Sequence, residues 1–235
     1  MFNMSKLKKF MVIDFEGKSN VRPYNIGIVI GDKHGNIYRT YQLTFSEAFQ
    51  ENITTYSGVN GDRMTHENID YIYTHQNEFR NVTIKAFTEF FFKLIEVDNI
   101  IDIWAYNMVF DKAALKRLIG EQNFTELCKK VAFYDIVPMI MPKLLTKKYV
   151  KFCLKNRYIT KANNLQTTAE IVYRYLFNNV NYIERHLGLQ DALDEYQILY
   201  NAFKQKKKLI KEYTSKPKPY IRLKQFCEVN GIEIE

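Results

Sequence analysis

Six polar residues in three separated stretches have the types and spacings from which a divalent-metal centre with a general base can be built. Asp14 and Glu16 stand two apart at the end of the run KFMVIDFE. Strand side chains alternate, so both carboxylates leave one face and Phe15 the other. Two like charges at the end of a buried strand destabilise each other unless a cation or a proton intervenes. Asn107 and Asp111, in NMVFD, are four apart where a helical pattern opens, and so share a face. Each also has an ordinary structural explanation, Asn107 as an N-cap and Asp111 as an acid at the positive end of the helix dipole. His186 precedes Asp191 by five in HLGLQD. On a continuous helix that spacing splays two side chains by about 140°. They converge only if the helix begins after His186, near Gly188, where a bend costs little.

The elements that must carry these residues are legible from periodicity. Lys9 to Glu16 reads as a buried central strand. Asn25 to Ile30 alternates with Ile26, Ile28 and Ile30 on one face, Asp32 to Asn36 is a turn, and Ile37 to Phe45 alternates again. Together they predict an antiparallel three-strand meander. Ser57 to Gly61 reads as loop. From Asn81 to Val97 the period changes to that of an amphipathic helix, with Ile84, Phe87, Phe91, Leu94 and Ile95 on its apolar side. Asn99 to Tyr106 predicts a strand, followed by a helix from Asn107 to Ile119 that Gly120 stops. Val131 to Tyr134 is a candidate fifth strand, with Asp135 capping the helix after it. Lys143 to Lys161 is basic with interleaved Tyr and Phe, Thr167 to Phe177 is helical, and the last long helix is expected from Asp191 to Lys208. A meander followed by β-α-β-α alternation implies a mixed α/β sheet with helices on its faces.

Composition narrows the class. A chain of 235 residues suits one domain with a full core, and 46% apolar residues exclude wholesale disorder. No stretch approaches the roughly 20 apolar residues that cross a bilayer. The basic start, Met1 to Phe10, leads into an apolar run too short for a signal peptide, so a cytoplasmic protein is expected. Cys128, Cys153 and Cys227 show neither CxxC spacing nor an even count, which argues against disulfides and zinc. A formal charge of +8 suits a polyanionic partner such as nucleic acid.

In order and context the three stretches read strand-D-x-E, strand-N-x3-D-helix and H-x4-D-helix. This pattern, in VIDFEG, WAYNMVFDKAAL and HLGLQDALDEYQIL, resembles the DEDDh (DnaQ-like) 3′→5′ exonucleases of the RNase H-like superfamily. NIGIVIGDKHGNIYRTYQLTF and YSGVNGDRM are similar to the family's next strands and loop, so the likeness runs from Lys9 to Phe203. It is strongest to the short exonucleases of phages and prophages. Two positions depart from the family: Gly17-Lys18 stands where Thr commonly follows the Glu, and Tyr106 where His often precedes the Asn. Both bear on contacts to the substrate end and not on the metal ligands.

The resemblance implies an RNase H-like mixed five-stranded sheet, three strands antiparallel and then two parallel. An exonuclease domain over residues 1–210 and a basic extension over 211–235 are expected. It also implies hydrolysis with two divalent ions, Mg²⁺ or Mn²⁺, which suit hard oxygen ligands. Asp14 would bridge the ions, Glu16 and Asp191 would hold the one that activates water, and Asp111 would serve the leaving-group side. His186 would be the general base. Phe15, Gly17 and Asn107 would contact the terminal nucleotide, Phe15 either by its ring or as a core aromatic with only its backbone exposed. The substrate would be the 3′ end of single-stranded nucleic acid, DNA in the first instance. An exoribonuclease and a non-catalytic nucleic-acid-binding relative are the alternatives.

Overall fold

The computed structural model describes residues 8–54 and 63–204. The expected loop at 57–61 and the whole of 211–235 lie outside them. Within them, β1 (Lys9–Glu16), β2 (Asn25–Asp32) and β3 (Ile37–Thr44) form the antiparallel meander. Two helices follow, α1 (Ser46–Thr54) and α2 (Arg63–Thr74), then the short strand β4 (Arg80–Asn81). The chain continues through α3 (Ile84–Asp98), β5 (Asp102–Ala105), α4 (Met108–Ile119), α5 (Glu121–Lys130) and β6 (Ala132–Asp135). It ends in α6 (Ile136–Leu144), α7 (Lys147–Asn156), α8 (Ala169–Phe177) and α9 (Gly188–Phe203).

The sheet order is β4-β3-β2-β1-β5-β6, with β5 and β6 parallel to β1. The expected architecture is present with one strand more. β4 pairs with β3 through two residues only, too few to leave an alternating pattern in sequence. The strand foreseen at 99–106 is regular only over Asp102–Ala105, because Asn99 ends α3 in the left-handed conformation and delays the return. Helices α1, α2 and α5 were not foreseen at all.

β1 divides the interior by simple alternation. Met11, Ile13 and Phe15 join Ile26, Ile28 and Ile30 of β2 in one core, under α3 and α4. Phe10 and Val12 face the other core with Trp104, and α6, α7, α8 and α9 cover that side. Asp14 and Glu16 continue the Phe10–Val12 face, so they emerge toward α9. β2 is buried along its whole length, and on the α9 side its small residues let the helix come unusually close. A methyl group added at Gly27 would sit 2.0 Å from the Gly188 carbonyl oxygen, and one added at Gly31 2.4 Å from the Tyr196 ring. The first turn of α9 therefore rests on bare β2 backbone.

Gly27→Ala has no flexible neighbour to displace, since the clash is with the backbone of Gly188. It is expected to lower stability by at least about 1–3 kcal/mol, the usual range for overpacking. Denaturant unfolding of the two proteins measures it, and an unchanged midpoint would show that α9 can lift off the sheet freely.

Candidate functional site

The close seating of α9 decides where Asp191 and His186 fall. The Gly188 amide donates to Asn25 Oδ1 at 2.8 Å, and Asn25 Nδ2 donates to the Leu43 carbonyl at 2.8 Å. One buried side chain thus ties the α9 N-terminus to β2 and β3. The helix begins at Gly188, a turn before its expected start, so Asp191 lies in its first turn and His186 just outside. His186 has a φ of 54°, a left-handed conformation uncommon for a residue with a side chain. Asn68 of α2 holds it by donating from Nδ2 to the His186 carbonyl at 2.7 Å. Upstream, Tyr182 stacks on Tyr173, its hydroxyl donates to Asp194, and its carbonyl accepts from Arg174 Nε at 2.6 Å. The strap from 182 to 187 is anchored at both ends.

The histidine therefore folds back onto the face it could not reach from within the helix. Ligand atoms of Glu16, His186 and Asp191 lie within 4.8 Å of one another, a group able to hold a metal ion. Asp111 approaches from α4, where its Oδ1 accepts from the Phe15 amide at 3.0 Å. That bond fastens the start of α4 to the end of β1 beside Asp14. All four acids and the histidine singled out from sequence are brought to one place.

This proximity perturbs their charges. The Asp14 carboxyl is pushed well above the usual range, first by burial and then by Glu16, Glu195, Asp191 and Asp111. Asp111 is raised by burial, with the Phe15 amide opposing. Asp191 is pushed up to about 10 by burial and by Glu16 and Glu184. Asp14 Oδ2 and Asp191 Oδ1 are buried with no hydrogen-bond partner. Buried acceptors without donors are costly, and a hard cation is the partner that would satisfy them and lower all three carboxyls together. The donor set fits a divalent ion.

Two further acids belong to this environment. Glu195 is only 3% exposed, accepts from the Tyr106 amide at 2.9 Å through Oε2, and lies within electrostatic reach of Asp14, Asp111 and Asp191. Glu184, on the histidine strap, is raised to about 7 by burial and by Glu16. A tally of four carboxylates against two divalent ions therefore undercounts the negative charge. Glu195 follows Asp191 by four, the same-face spacing that drew attention to Asn107 and Asp111, so the signal was available.

The three residues expected at the substrate end have distinct settings. The Phe15 ring is 2% exposed in the core under α3 and α4, so the ring-stacking expectation is corrected: β1 alternation turns it away from the acids. The Phe15 amide is committed to Asp111. Gly17 has a φ of 151°, and a methyl group there would stand 2.9 Å from the Pro23 Cα, so the chain leaving the site folds tightly on itself. Asn107 occupies the N-cap position of α4 but is left-handed, with a φ of 69°, and its side chain makes no capping bond. Its amide donates to Asp135 Oδ1 at 3.1 Å, and Asp135 also caps α6 as expected. In the basic stretch 143–161, Tyr149 is buried, with its hydroxyl on the Gln166 carbonyl.

No protein-family model matches the chain, and no curated protein matches it. Among solved structures, Escherichia coli exonuclease I in complex with a dT13 oligonucleotide aligns with a TM-score of 0.50 and 12% identity, over 84% of this chain and 41% of that one. The RNase domain of yeast Pop2 aligns at 0.40 and 13%, over 82% and 76%, and exonuclease I of Methylocaldum szegediense at 0.41 and 13%, over 83% and 42%. The first likeness shows a shared fold, and the chain spans about two fifths of that exonuclease's length.

The raised carboxyls set a pH dependence. A group whose folded pKa exceeds its unfolded one stabilises fully below the unfolded value and loses that contribution as pH climbs through the folded one. For Asp191 the window runs from 3.8 to about 10, and for Glu184 from 4.5 to about 7. In chelator, the melting temperature is expected to fall between about pH 5 and pH 8, and Mg²⁺ or Mn²⁺ to restore it at the upper end. A chelated protein whose melting temperature ignores pH would contradict the burial of these acids.

Proposed function

We propose that the chain is a metal-dependent 3′→5′ exonuclease of the DEDDh kind, removing nucleotides from the 3′ ends of mainly single-stranded DNA. The observation that carries this reading is the convergence of His186 with Glu16 and Asp191 within 4.8 Å, beside Asp14 and Asp111. That convergence requires a helix that starts at Gly188 and a left-handed His186. The fold shared with an exonuclease crystallised on an oligonucleotide supports it, as does the net charge of +8.

The residues divide the work by position. Asp14, at the centre of the acids, would contribute to both cation positions, with Glu16 and Asp191 on one side and Asp111 on the other. Two divalent ions, Mg²⁺ or Mn²⁺, would supply charge stabilisation for the attacking and leaving oxygens. His186 takes the proton of the attacking water through a ring nitrogen, for which neutral imidazole is needed. Its position on a strap fixed at Asn68 and Tyr182, outside the helix, holds the ring without making it part of the core. Gly17 and the backbone at Phe15 would lie against the terminal nucleotide, with Asn107 at its flank.

A time course on 5′-labelled single- and double-stranded DNA and RNA, with Mg²⁺, Mn²⁺ or EDTA, tests the reading. Shortening from the 3′ end that needs the ion is expected, DNA faster than RNA. Faster RNA trimming would move the substrate to RNA, and oligonucleotide binding without any cleavage would make the chain a non-catalytic relative.

Two variants test the assignments. Asp14→Asn is expected to abolish cleavage while leaving the chelated protein at least as stable, because one repelling charge is gone. His186→Ala is expected to lower turnover by about 10²–10⁴-fold at neutral pH and to flatten the rise of rate with pH through the histidine range, while oligonucleotide binding in Ca²⁺ changes little. An Ala variant within about tenfold of wild type, with an unaltered pH profile, would remove His186 from the chemistry.

A further inference from the structure

Most lysine ammonium groups that approach an acid on this surface are visibly paired. Lys8 meets Asp102, Lys9 meets Asp98, Lys116 meets Glu121, Lys129 meets Glu126 and Lys130 meets Glu96. Helix α7 is instead a run of lysines close together on one element. Its sequence, KKYVKFCLKN, has no acidic residue, and Lys147, Lys148, Lys151 and Lys155 are all exposed. None of the four takes part in an ion pair among the described residues.

The four are also aligned. At about 100° per residue they fall within an arc of about 100°, opposite the buried Tyr149, Val150 and Cys153. Lys147, Lys151 and Lys155 succeed one another at a rise of about 6 Å per step. Such a row of like charges raises the helix's own energy through repulsion, which a stabilising surface would avoid. A polyanion relieves it.

Helix α7 is joined to the acidic site through its buried side. Tyr149 of α7 donates its hydroxyl to the Gln166 carbonyl at 2.5 Å, and Tyr106 donates its own to the next carbonyl, Thr167, at 2.5 Å. The Tyr106 amide in turn binds Glu195 among the acids. One backbone segment, 166–167, is thus gripped from the lysine helix on one side and from the acid cluster on the other.

We propose that the outward face of α7 is an electrostatic track for the phosphate backbone of single-stranded nucleic acid whose 3′ end lies at the acidic site. The proposal rests on the nuclease reading for its polarity but not for its existence, since the track would bind a strand whether or not the site cleaves it. Its chemistry suits sequence-independent contact, because ammonium groups on exposed stems meet phosphates without reading bases.

The test compares wild type with the quadruple variant Lys147→Gln, Lys148→Gln, Lys151→Gln, Lys155→Gln, and with the same positions changed to Arg. Fluorescence anisotropy in Ca²⁺ would measure binding of labelled oligonucleotides of about 4 and about 20 nucleotides across a salt series. Each phosphate contact contributes about 0.7 to the slope of log affinity against log salt for a single strand. The Gln variant is expected to bind the long oligonucleotide at least tenfold more weakly, with a slope smaller by about 2–3, and the short one unchanged. The Arg variant should keep both affinities. Circular dichroism and melting temperature check that the Gln variant folds, as fully exposed changes predict. A Gln variant with wild-type affinity and slope overturns the proposal, as does equal loss for both lengths or a wild type that does not bind the long strand. Loss of long-strand binding in a protein that never cleaves would keep the track and reject the nuclease.

Discussion

The seating of α9 on β2 is the contact on which the rest of the site depends. Gly27 and Gly188 remove the side chains that would otherwise separate helix from sheet, and Asn25 replaces them with a hydrogen bond to the helix's first amide. Lifted by even one methyl group, the helix would carry Asp191 and Glu195 away from β1. As pH rises and they ionise without a cation, repulsion among Asp14, Glu16, Asp111, Asp191 and Glu195 pushes in that direction. The apolar contacts of Ala192, Tyr196, Leu199 and Ala202, further along the sheet-facing side of the same helix, hold against it. The molecule thus uses hydrophobic burial along one helix to keep several carboxyls closer than they would choose to be.

How much of this could be read from the chain alone depended on the length over which a pattern persists. β1 and its two acids were legible to the residue, because a compact apolar run closes on Asp14 and Glu16, two apart. The fold-back of His186 was legible as a condition, since the helical angle forbade the alternative and Gly188 offered the bend. Glu195 escaped because it sits in a helix already explained by Asp191, although its spacing marked it. β4 escaped because two residues carry no period, and the left-handed state of Asn107 because the preference of Asn for N-caps concealed it. What holds His186 was beyond reach: Asn68 lies 118 residues away, and a side-chain amide that meets one carbonyl leaves no trace in spacing.

The tyrosines show how composition can mislead. A basic stretch with interleaved aromatic residues resembles a nucleic-acid groove, yet Tyr149 is interior and orders the backbone at Gln166. Amphipathic helices separate these roles by angle, so that the lysines of α7 face outward and Tyr149 inward. Tyr106, at the position where the family often has His, does the same for Thr167. Its phenol is spent on the scaffold.

The two border strands of the sheet are short. β4 has two residues and β6 four, while the eight-residue strands lie between them. A long bare border invites another molecule's backbone to extend the ladder, which is how many sheet proteins come to form fibrils. Here the exposed rim is too brief to template such growth, and β6 runs directly into α6. Blunt borders let copies of the protein stand side by side without fusing.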